Sequence, residues 1–171
     1  MKNVLLISGT MGVGKTAVCQ ILKRKLNRSV LLDGDWCWDM NPFQITDETK
    51  QMVMNNICFL LNSFIKCFAY ENIVFCWVMH EQSIINEIIS RLDVTGCKVH
   101  TISLVCSEQA LRARLQKDID AGIRTEDVIC RSVERIPLYK ELRTTKVDVS
   151  DITPEQAADG IIQRTGIPPM K

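Results

Sequence analysis

The chain has 171 residues, and its 21 Lys and Arg residues against 20 Asp and Glu residues give a formal net charge of +1. This length predicts a single domain, and a composition of 46% hydrophobic and 24% charged residues excludes a disordered tail, a collagen-like repeat and a coiled-coil rod. Because there is no broad basic surplus, we expect no nucleic-acid partner, whereas a small anionic ligand needs only a local site.

The apolar runs and the cysteines favour a cytoplasmic protein. The longest apolar run, residues 73–79, is much shorter than the ~20 residues that cross a bilayer, so we expect no membrane partner. The apolar run after Lys2 is too short for a signal peptide. The eight cysteines include no C-x-x-C pair and lie mostly in apolar runs, so we expect buried, reduced thiols and no zinc site.

Strand and helix patterns alternate along the chain. In chain order, the sequence predicts a strand at 3–8, a helix at 16–26, a strand at 30–32, a helix at 47–70, a strand at 73–79, a helix at 83–92, a strand at 99–105, a helix at 107–117, a loop at 119–125, a helix at 126–142, a strand at 146–149 and a helix at 154–164. The third strand is apolar at every position, as in a parallel sheet covered on both faces. The pattern therefore predicts one α/β domain over residues 1–171, built on a parallel sheet.

The most specific motif lies directly after the first predicted strand. Residues 9–16, GTMGVGKT, match G-x-x-x-x-G-K-[ST] in full. The glycines let successive backbone N–H groups point into one concavity that binds phosphate oxygens. In such a loop Lys15 reaches the β and γ phosphates, and the Thr16 hydroxyl is a ligand for Mg²⁺. The motif therefore predicts binding of a nucleotide with its magnesium ion.

Two short strings resemble GTPase motifs but stand in the wrong context. They are D-x-x-G at residues 93–96 and T-K-x-D at residues 145–148. A working D-x-x-G follows a strand, whereas Asp93 follows a predicted helix. A guanine-reading T-K-x-D follows an apolar strand, whereas Thr145 follows the charged residues 140–143. We therefore expect the protein to accept ATP at least as well as GTP.

Two carboxylates follow the second predicted strand, in the segment Asp33-Gly34-Asp35. Ligands of open α/β sheets lie at the carboxyl ends of the strands, so these carboxylates should face the transferred phosphate. One of them can accept the proton of an attacking hydroxyl, and the other can hold Mg²⁺ through water.

These features resemble the small P-loop kinases, a group that includes nucleoside monophosphate kinases, shikimate and gluconate kinases and chloramphenicol phosphotransferase-like proteins. The resemblance is carried by residues 9–16, L-D-G-D at 32–35, L-x-x-R-L at 111–115, R-x-x-x-R at 131–135 and V-D-V at 147–149. It implies a P-loop NTPase fold of three α/β/α layers, with a five-stranded parallel sheet in the order 2-3-1-4-5. It also implies a lid at about residues 118–135 and transfer of the γ-phosphoryl group of ATP to a hydroxyl or a phosphate.

The resemblance also implies roles for individual residues. Asp35, with Asp33 as the second candidate, matches the acceptor-side carboxylate, and Arg114 matches an arginine that packs on adenine. Arg131 and Arg135 match lid arginines that offset charge on the transferring phosphate, and their spacing predicts that they share one helical face. The phosphate-loop residues that match are Gly9, Gly12, Val13, Gly14, Lys15 and Thr16.

Two departures from the family pattern concern the lid and the metal. Where the family often has another arginine after position 114, this chain has Lys117 and Asp118, and Arg124 in the following loop is a further candidate. The third predicted strand also lacks the aspartate that completes a Walker B site. We therefore expect Mg²⁺ to depend on Thr16, phosphate oxygens, water and Asp33.

The region that would hold the acceptor has few positive charges. Between residues 36 and 90 there is no clear arginine pair, which argues against a nucleoside monophosphate and toward a neutral hydroxyl. The aromatic residues Trp36, Trp38 and Phe43 follow the carboxylates, and they either wall an acceptor pocket or belong to the core. His80 and Glu81 are expected to line the same cleft.

The sequence as a whole predicts a phosphotransferase that moves the γ-phosphoryl group of MgATP to a small-molecule hydroxyl. Lys15, Asp35, Arg131 and Arg135 are its expected catalytic residues. Two alternatives are a nucleotide kinase and a regulator that binds ATP without transferring phosphate, the latter because of the missing Walker B aspartate. The sequence gives no indication of the oligomeric state.

Overall fold

The computed structural model describes residues 1–170 and contains a five-stranded parallel sheet in the order β2-β3-β1-β4-β5. The strands are β1 Lys2–Ser8, β2 Ser29–Asp33, β3 Asn72–Cys76, β4 Cys97–Val105 and β5 Thr145–Asp148. This is the predicted P-loop NTPase architecture, with helices on both faces of the sheet. The fold class and the strand order implied by the family resemblance are therefore confirmed.

Seven α-helices lie in the described part of the chain, together with one short 3-10 helix at Gly34–Trp38. The α-helices are α1 Lys15–Lys25, α2 Asp47–Lys66, α3 Gln82–Ser90, α4 Glu108–Asp120, α5 Asp127–Glu134, α6 Ile136–Glu141 and α7 Pro154–Thr165. Thr153 caps α7 through the predicted capping box with Gln156. Within residues 1–170, no helix combines the length and the apolarity needed to cross a membrane.

The sheet separates two hydrophobic cores. Along β1, Leu5 and Ile7 pack with α1, α4 and α7, whereas Val4 and Leu6 pack with α2 and α3. Alternate side chains of a strand point to opposite faces, so a strand that is covered on both faces must be apolar at every position. This requirement explains the uninterrupted apolar runs in the sequence. Because these strands run parallel, the carboxyl ends of β1, β2 and β3 lie at one edge of the sheet.

The predicted helix over 126–142 is wrong as a single element, because it is divided at Arg135 into α5 and α6. Pro137 lies in the first turn of α6, where its missing amide hydrogen is tolerated. Inside one continuous helix the same ring would collide with the carbonyl of Val133. The third strand also differs from the prediction, since it ends at Cys76 and not at Met79.

The chain after β3 is fixed by a tyrosine of α6. Tyr139 is 1% exposed, and its hydroxyl donates a hydrogen bond to the carbonyl oxygen of Val78 over 2.8 Å. Burial raises the pKa of Tyr139 above its usual value, so the hydroxyl keeps its proton. Val78 in turn accepts a bond from the amide of Gly9 in the phosphate loop. The short helix α6 therefore supports the edge of the sheet where the site lies.

We expect Tyr139→Phe to lower the free energy of unfolding by about 1–2 kcal/mol, because the substitution keeps the ring and removes a buried hydrogen bond. The matched control is Tyr70→Phe, since the Tyr70 hydroxyl has no hydrogen bond within the described residues. Urea unfolding of both variants measures the difference. An equal effect of the two substitutions would show that the Val78 bond does not stabilise the fold.

Candidate functional site

The phosphate loop joins β1 to α1 and has the backbone of an anion site. Gly12 and Gly14 have φ angles of 80° and 102°, in the left-handed region that favours glycine. A Cβ atom on Gly12 would lie 2.4 Å from Leu115 Cδ2, so the loop packs directly on α4. Gly14 is the N-cap of α1 and provides no side-chain cap. The N–H groups of the first helical turn therefore face the loop, where phosphate oxygens can accept from them.

Lys15 begins α1 and extends back across the loop. Its Nζ donates to the carbonyl oxygen of Thr10 over 3.1 Å. Burial lowers the pKa of Lys15, and the nearby carboxylates of Asp35 and Asp33 oppose that effect. The ammonium group is therefore held between the phosphate loop and the end of β2, where a nucleotide phosphate would supply the missing negative charge.

The structure brings the two predicted metal residues together. The Thr16 hydroxyl donates to Asp33 Oδ2 over 2.7 Å, although the two side chains lie on α1 and at the end of β2. Asp33 is 5% exposed, and its Oδ1 also accepts from the amide of Asp35. In the described part of the chain, no three His, Cys, Asp or Glu side chains form a group suited to a metal. A magnesium ion at Thr16 would therefore depend on phosphate oxygens and on water held by Asp33, and this donor set fits that hard cation.

Asp35 stands exposed in the short 3-10 helix after β2. Desolvation in the cleft raises the pKa of Asp35, and the like charge of Asp33 adds to that effect. Lys15 and Arg124 act in the opposite direction. The backbone reaches this position because Gly34 packs against Trp77, where a Cβ atom would lie 2.5 Å from the indole Cγ.

Arg114 connects the phosphate loop to the segment after β5. Its guanidinium donates to the carbonyl oxygens of Val13 and Ser150, each over 3.2 Å, and also to that of Val149. These bonds lie near the plane of the guanidinium, an arrangement that is compatible with a ring stacked on its face. The role of Arg114 toward adenine stays a prediction.

The lid arginines are held by acidic neighbours. Arg124 Nε lies 3.0 Å from Asp118 Oδ2, and Arg131 Nη2 lies 2.8 Å from Asp127 Oδ2. Both arginines line a cavity of about 330 Å³ together with Met11 of the phosphate loop. The structure thus brings these two arginines beside the nucleotide loop, and it shows Arg124 to be as well placed as Arg131.

Arg135 lies apart from that cavity. It is the C-cap of α5 and is not among the residues that line that cavity. Its charge, together with burial as the larger cause, lowers the pKa of His80. His80 Nδ1 is buried without a hydrogen-bond partner, and its Nε2 lies 3.4 Å from Glu81 Oε1.

A second cavity, of about 400 Å³, is lined by two residues next to the Asp35 turn, Trp38 at the end of the 3-10 helix and Trp77 beside Gly34. Its lining residues come from the 3-10 helix, the chain after β3, α2 and α3: Trp38, Trp77, Asp47, Lys50, Gln51, Met54, Ile84 and Glu87. Trp38 ends the 3-10 helix that contains Asp35. The aromatic side chain of Trp38 borders a cavity and also packs on the core. That it walls an acceptor pocket stays a prediction.

Sequence reasoning missed three residues of this site. Thr10 donates from its hydroxyl to the carbonyl oxygen of Ser132 over 2.8 Å and so ties the phosphate loop to α5. Trp77 and Tyr139 position the Asp35 turn and the chain after β3. Trp77 lies inside the apolar run 73–79 and directly follows β3, at the strand end where ligands of parallel sheets bind, and that position was a usable signal. Nothing in the local sequence indicated the contacts of Thr10 and Tyr139.

The two GTPase-like strings lack the placement that working motifs need. Asp93 follows α3 and not a strand. Residues 145–148 form β5 itself, and Lys146 Nζ donates to Thr144 Oγ1 over 2.8 Å. The T-K-x-D residues therefore lie within a strand and not in the loop after one, and acceptance of ATP at least as well as GTP stays a prediction.

Comparison with solved structures finds the same fold in several proteins, kinases among them. The tunicamycin resistance protein of Deinococcus radiodurans is 16% identical, with a TM-score of 0.74 over 100% of this chain and 99% of that one. A gluconokinase from Sinorhizobium meliloti 1021 is 18% identical, with a TM-score of 0.66 over 95% and 93%. Shikimate kinase from Acinetobacter baumannii, in complex with shikimate, is 18% identical, with a TM-score of 0.63 over 96% and 93%. At these identities the likeness concerns the fold.

The predicted resemblance to small P-loop kinases is confirmed by these fold neighbours. No curated protein matches the chain by sequence. The family described as an AAA domain matches residues 5–134, which include the phosphate loop, the Asp33-Gly34-Asp35 turn and most of the predicted lid. Because this match covers more than half of the chain, the protein belongs to the AAA domain family.

Proposed function

We propose that the protein is an ATP-dependent phosphotransferase that phosphorylates a hydroxyl group of a small molecule. The observation that carries this proposal is the 2.7 Å hydrogen bond between Thr16 and Asp33, with Asp35 and Lys15 beside it. A phosphate loop alone serves many nucleotide-binding proteins. A carboxylate pair next to its lysine and threonine adds groups that can deprotonate an acceptor, which a mere nucleotide sensor does not need.

The phosphate loop and Lys15 would hold the donor. Backbone N–H groups of residues 12–16 bind the phosphate oxygens, and Lys15 neutralises charge on the β and γ phosphates. When bound, MgATP supplies an activated phosphoryl group with ADP as its leaving group. Thr16 and Asp33 orient the metal and its water. In this way Asp33 takes over the task of the missing Walker B aspartate.

Asp35 would act on the acceptor. Its carboxylate orients the acceptor hydroxyl in line with the γ phosphate and accepts the hydroxyl proton as the oxygen–phosphorus bond forms. Its raised pKa suits that task, because a base with a higher pKa holds the proton more firmly. Arg124 and Arg131 would offset charge on the phosphoryl oxygens, and Arg135 is the third candidate for that role.

A regulator that binds ATP without transferring phosphate is the competing function. The two functions differ in one observable, the release of ADP that depends on an added alcohol. We therefore propose a panel of nucleosides, sugars and aromatic alcohols, assayed for acceptor-dependent ADP release. Nucleotide binding with no acceptor-dependent ADP release anywhere in the panel would favour the regulator.

We expect Lys15→Ala to weaken MgATP binding strongly while the fold stays intact, because Lys15 is the lysine that the loop directs toward the phosphates. Calorimetry with MgATP measures the loss. The matched control is Lys23→Ala, which removes an equal charge two turns further along α1. Unchanged affinity in Lys15→Ala would contradict the phosphate-loop assignment.

We expect Asp35→Asn to lower kcat by about 10²–10⁴-fold while MgATP affinity stays near normal, since the amide keeps the shape of the side chain but cannot accept the proton. Asp39→Asn, at an exposed position shortly after the same 3-10 helix, is the control. Steady-state kinetics with an active acceptor measures both variants. A wild-type kcat in Asp35→Asn would make Asp33 or His80 the next candidate base.

We expect the acidic limb of the pH–rate profile to lie above the usual range of an aspartate. Asp35 must be ionised to act as a base, and its pKa is raised, so activity falls as the pH drops through that raised value. Asp33→Asn removes the neighbouring like charge and should therefore move the limb to lower pH, whereas Asp39→Asn should not move it. A limb that is unchanged in Asp33→Asn would assign the titration to another group.

A further inference from the structure

We propose that the acceptor carries no carboxylate or phosphate and has a flat apolar body that lies between Trp38 and Trp77, with its hydroxyl directed at Asp35. The transfer step of this inference depends on the function proposed above, whereas the binding preference can be measured without any turnover. The inference rests on the cavity of about 400 Å³ beside Asp35 and on the charges that surround it.

The position of the cavity suits an acceptor. Trp38 is the last residue of the 3-10 helix in which Asp35 lies, and Trp77 packs against Gly34, the residue before Asp35. Both indoles therefore line the cavity and also belong to, or pack on, the short 3-10 helix that contains Asp35. Together with Met54 and Ile84 they make two walls of the cavity apolar, and flat aromatic surfaces favour flat ligands.

The charges at the cavity disfavour an anion. Within the described residues, Lys50 is the one cation in the lining, and its Nζ lies 3.4 Å from Asp47 Oδ1, which also lines the cavity. Glu87 adds a second carboxylate to the lining, so acidic groups outnumber basic ones even before Asp35 is counted. Within the lining, a carboxylate or phosphate on the acceptor would meet two carboxylates and one lysine, because the cations that act on Asp35, Lys15 and Arg124, lie on its phosphate-loop side.

Arg91 pairs with Glu87 of the lining and is also engaged outside the cavity. Arg91 Nη1 lies 3.2 Å from Glu87 Oε1, and its Nη2 donates to Asn55 Oδ1 on the outer side of α2. Arg91 is not among the residues that line the cavity. An anionic acceptor would therefore have to break existing contacts of Lys50 or Arg91, whereas an uncharged acceptor leaves both pairs in place.

Large apolar side chains also lie exposed in the chain stretch on either side of Trp38. The Phe43 ring centroid lies 5.9 Å from that of Trp38, and the Phe43 side chain is 63% exposed. Trp36 and Ile45 of the same stretch are 56% and 63% exposed. Exposed large apolar side chains next to a cavity mark a surface that an apolar ligand can cover. The segment 39–46 contains no helix or strand that would hold these side chains away from such a ligand.

The test uses two probes of the same shape that differ in charge. They are 4-(hydroxymethyl)benzamide and 4-(hydroxymethyl)benzoate, titrated into ¹⁵N-labelled protein with MgADP present. The chain has three tryptophans, so the indole N–H region contains three signals, and those of Trp38 and Trp77 report this cavity. We expect the amide to shift both signals and to bind at least about tenfold more tightly than the benzoate, which corresponds to about 1.4 kcal/mol.

Variants separate the parts of the inference. Trp38→Ala should reduce the affinity for the amide, and the Trp77 indole signal then shows whether the cavity remains folded. Lys50→Met should leave the preference for the amide over the benzoate in place, while Phe59→Ala, at an exposed position of α2 outside the cavity lining, is the control for loss of an exposed aromatic side chain. A third probe, 4-(hydroxymethyl)cyclohexanecarboxamide, keeps the polar groups without the flat ring and should bind more weakly than the benzamide.

Several results would overturn the inference. Equal or tighter binding of the benzoate, particularly if Lys50→Met abolishes it, would show an anion site. If the indole signals do not move at millimolar concentrations of any probe, the cavity is not a ligand site. If the cyclohexane analogue binds as tightly as the benzamide, the ligand does not need a flat body. Failure of the proposed function has a different signature, because no alcohol of the panel would then cause release of ADP while the indole shifts persist.

Discussion

The hydrogen bond from Thr16 to Asp33 is the contact on which the site depends, because it joins the first turn of α1 to the carboxyl end of β2 over 2.7 Å. It fixes the distance between the phosphate loop and the Asp33-Gly34-Asp35 turn. Asp33 is buried, so its charge needs partners, and it finds them in the Thr16 hydroxyl and the Asp35 amide. The same two bonds orient the Asp35 turn toward Lys15. The buried Asp33 carboxylate therefore joins the phosphate loop, the proposed donor side of the cleft, to the Asp35 turn, the proposed acceptor side.

The third strand, which lacks an aspartate, contributes to the site in a structural way. Val78 accepts hydrogen bonds from the Tyr139 hydroxyl and the Gly9 amide, so it links α6 to the phosphate loop. Trp77, one residue earlier, supports Gly34 and thereby the carboxylate turn. A strand end that often provides a metal-holding acid here provides packing and a backbone acceptor. Asp33, at the end of the neighbouring strand, is the acid that we propose for that task.

The parts of the molecule that could be predicted from sequence are those encoded locally. The phosphate loop has a fixed spacing, and apolar runs covered on both faces identify the strands, so fold class and strand order followed from motif, pattern and resemblance. The break at Arg135 was missed because helical periodicity continues across Pro137, although the proline itself was a signal. The roles of Trp77 and Tyr139 were missed because their contacts lie 43 and 61 residues away in the chain, at Gly34 and Val78. Local patterns do not contain such long-range contacts.

Counting charges in the sequence could not show which of the predicted lid arginines would contact a phosphate. Arg124 and Arg131 each form an ion pair with an aspartate of their own segment. The Arg131 pair is exposed and the Arg124 pair is about a third exposed, and surface pairs of this kind contribute only about 0–1 kcal/mol. A nucleotide phosphate offers a more concentrated charge and bidentate geometry, so the arginines can exchange Asp118 and Asp127 for it at small cost. The aspartates would then hold the arginine side chains close to the loop until a phosphate arrives, which shortens the movement needed to complete the site.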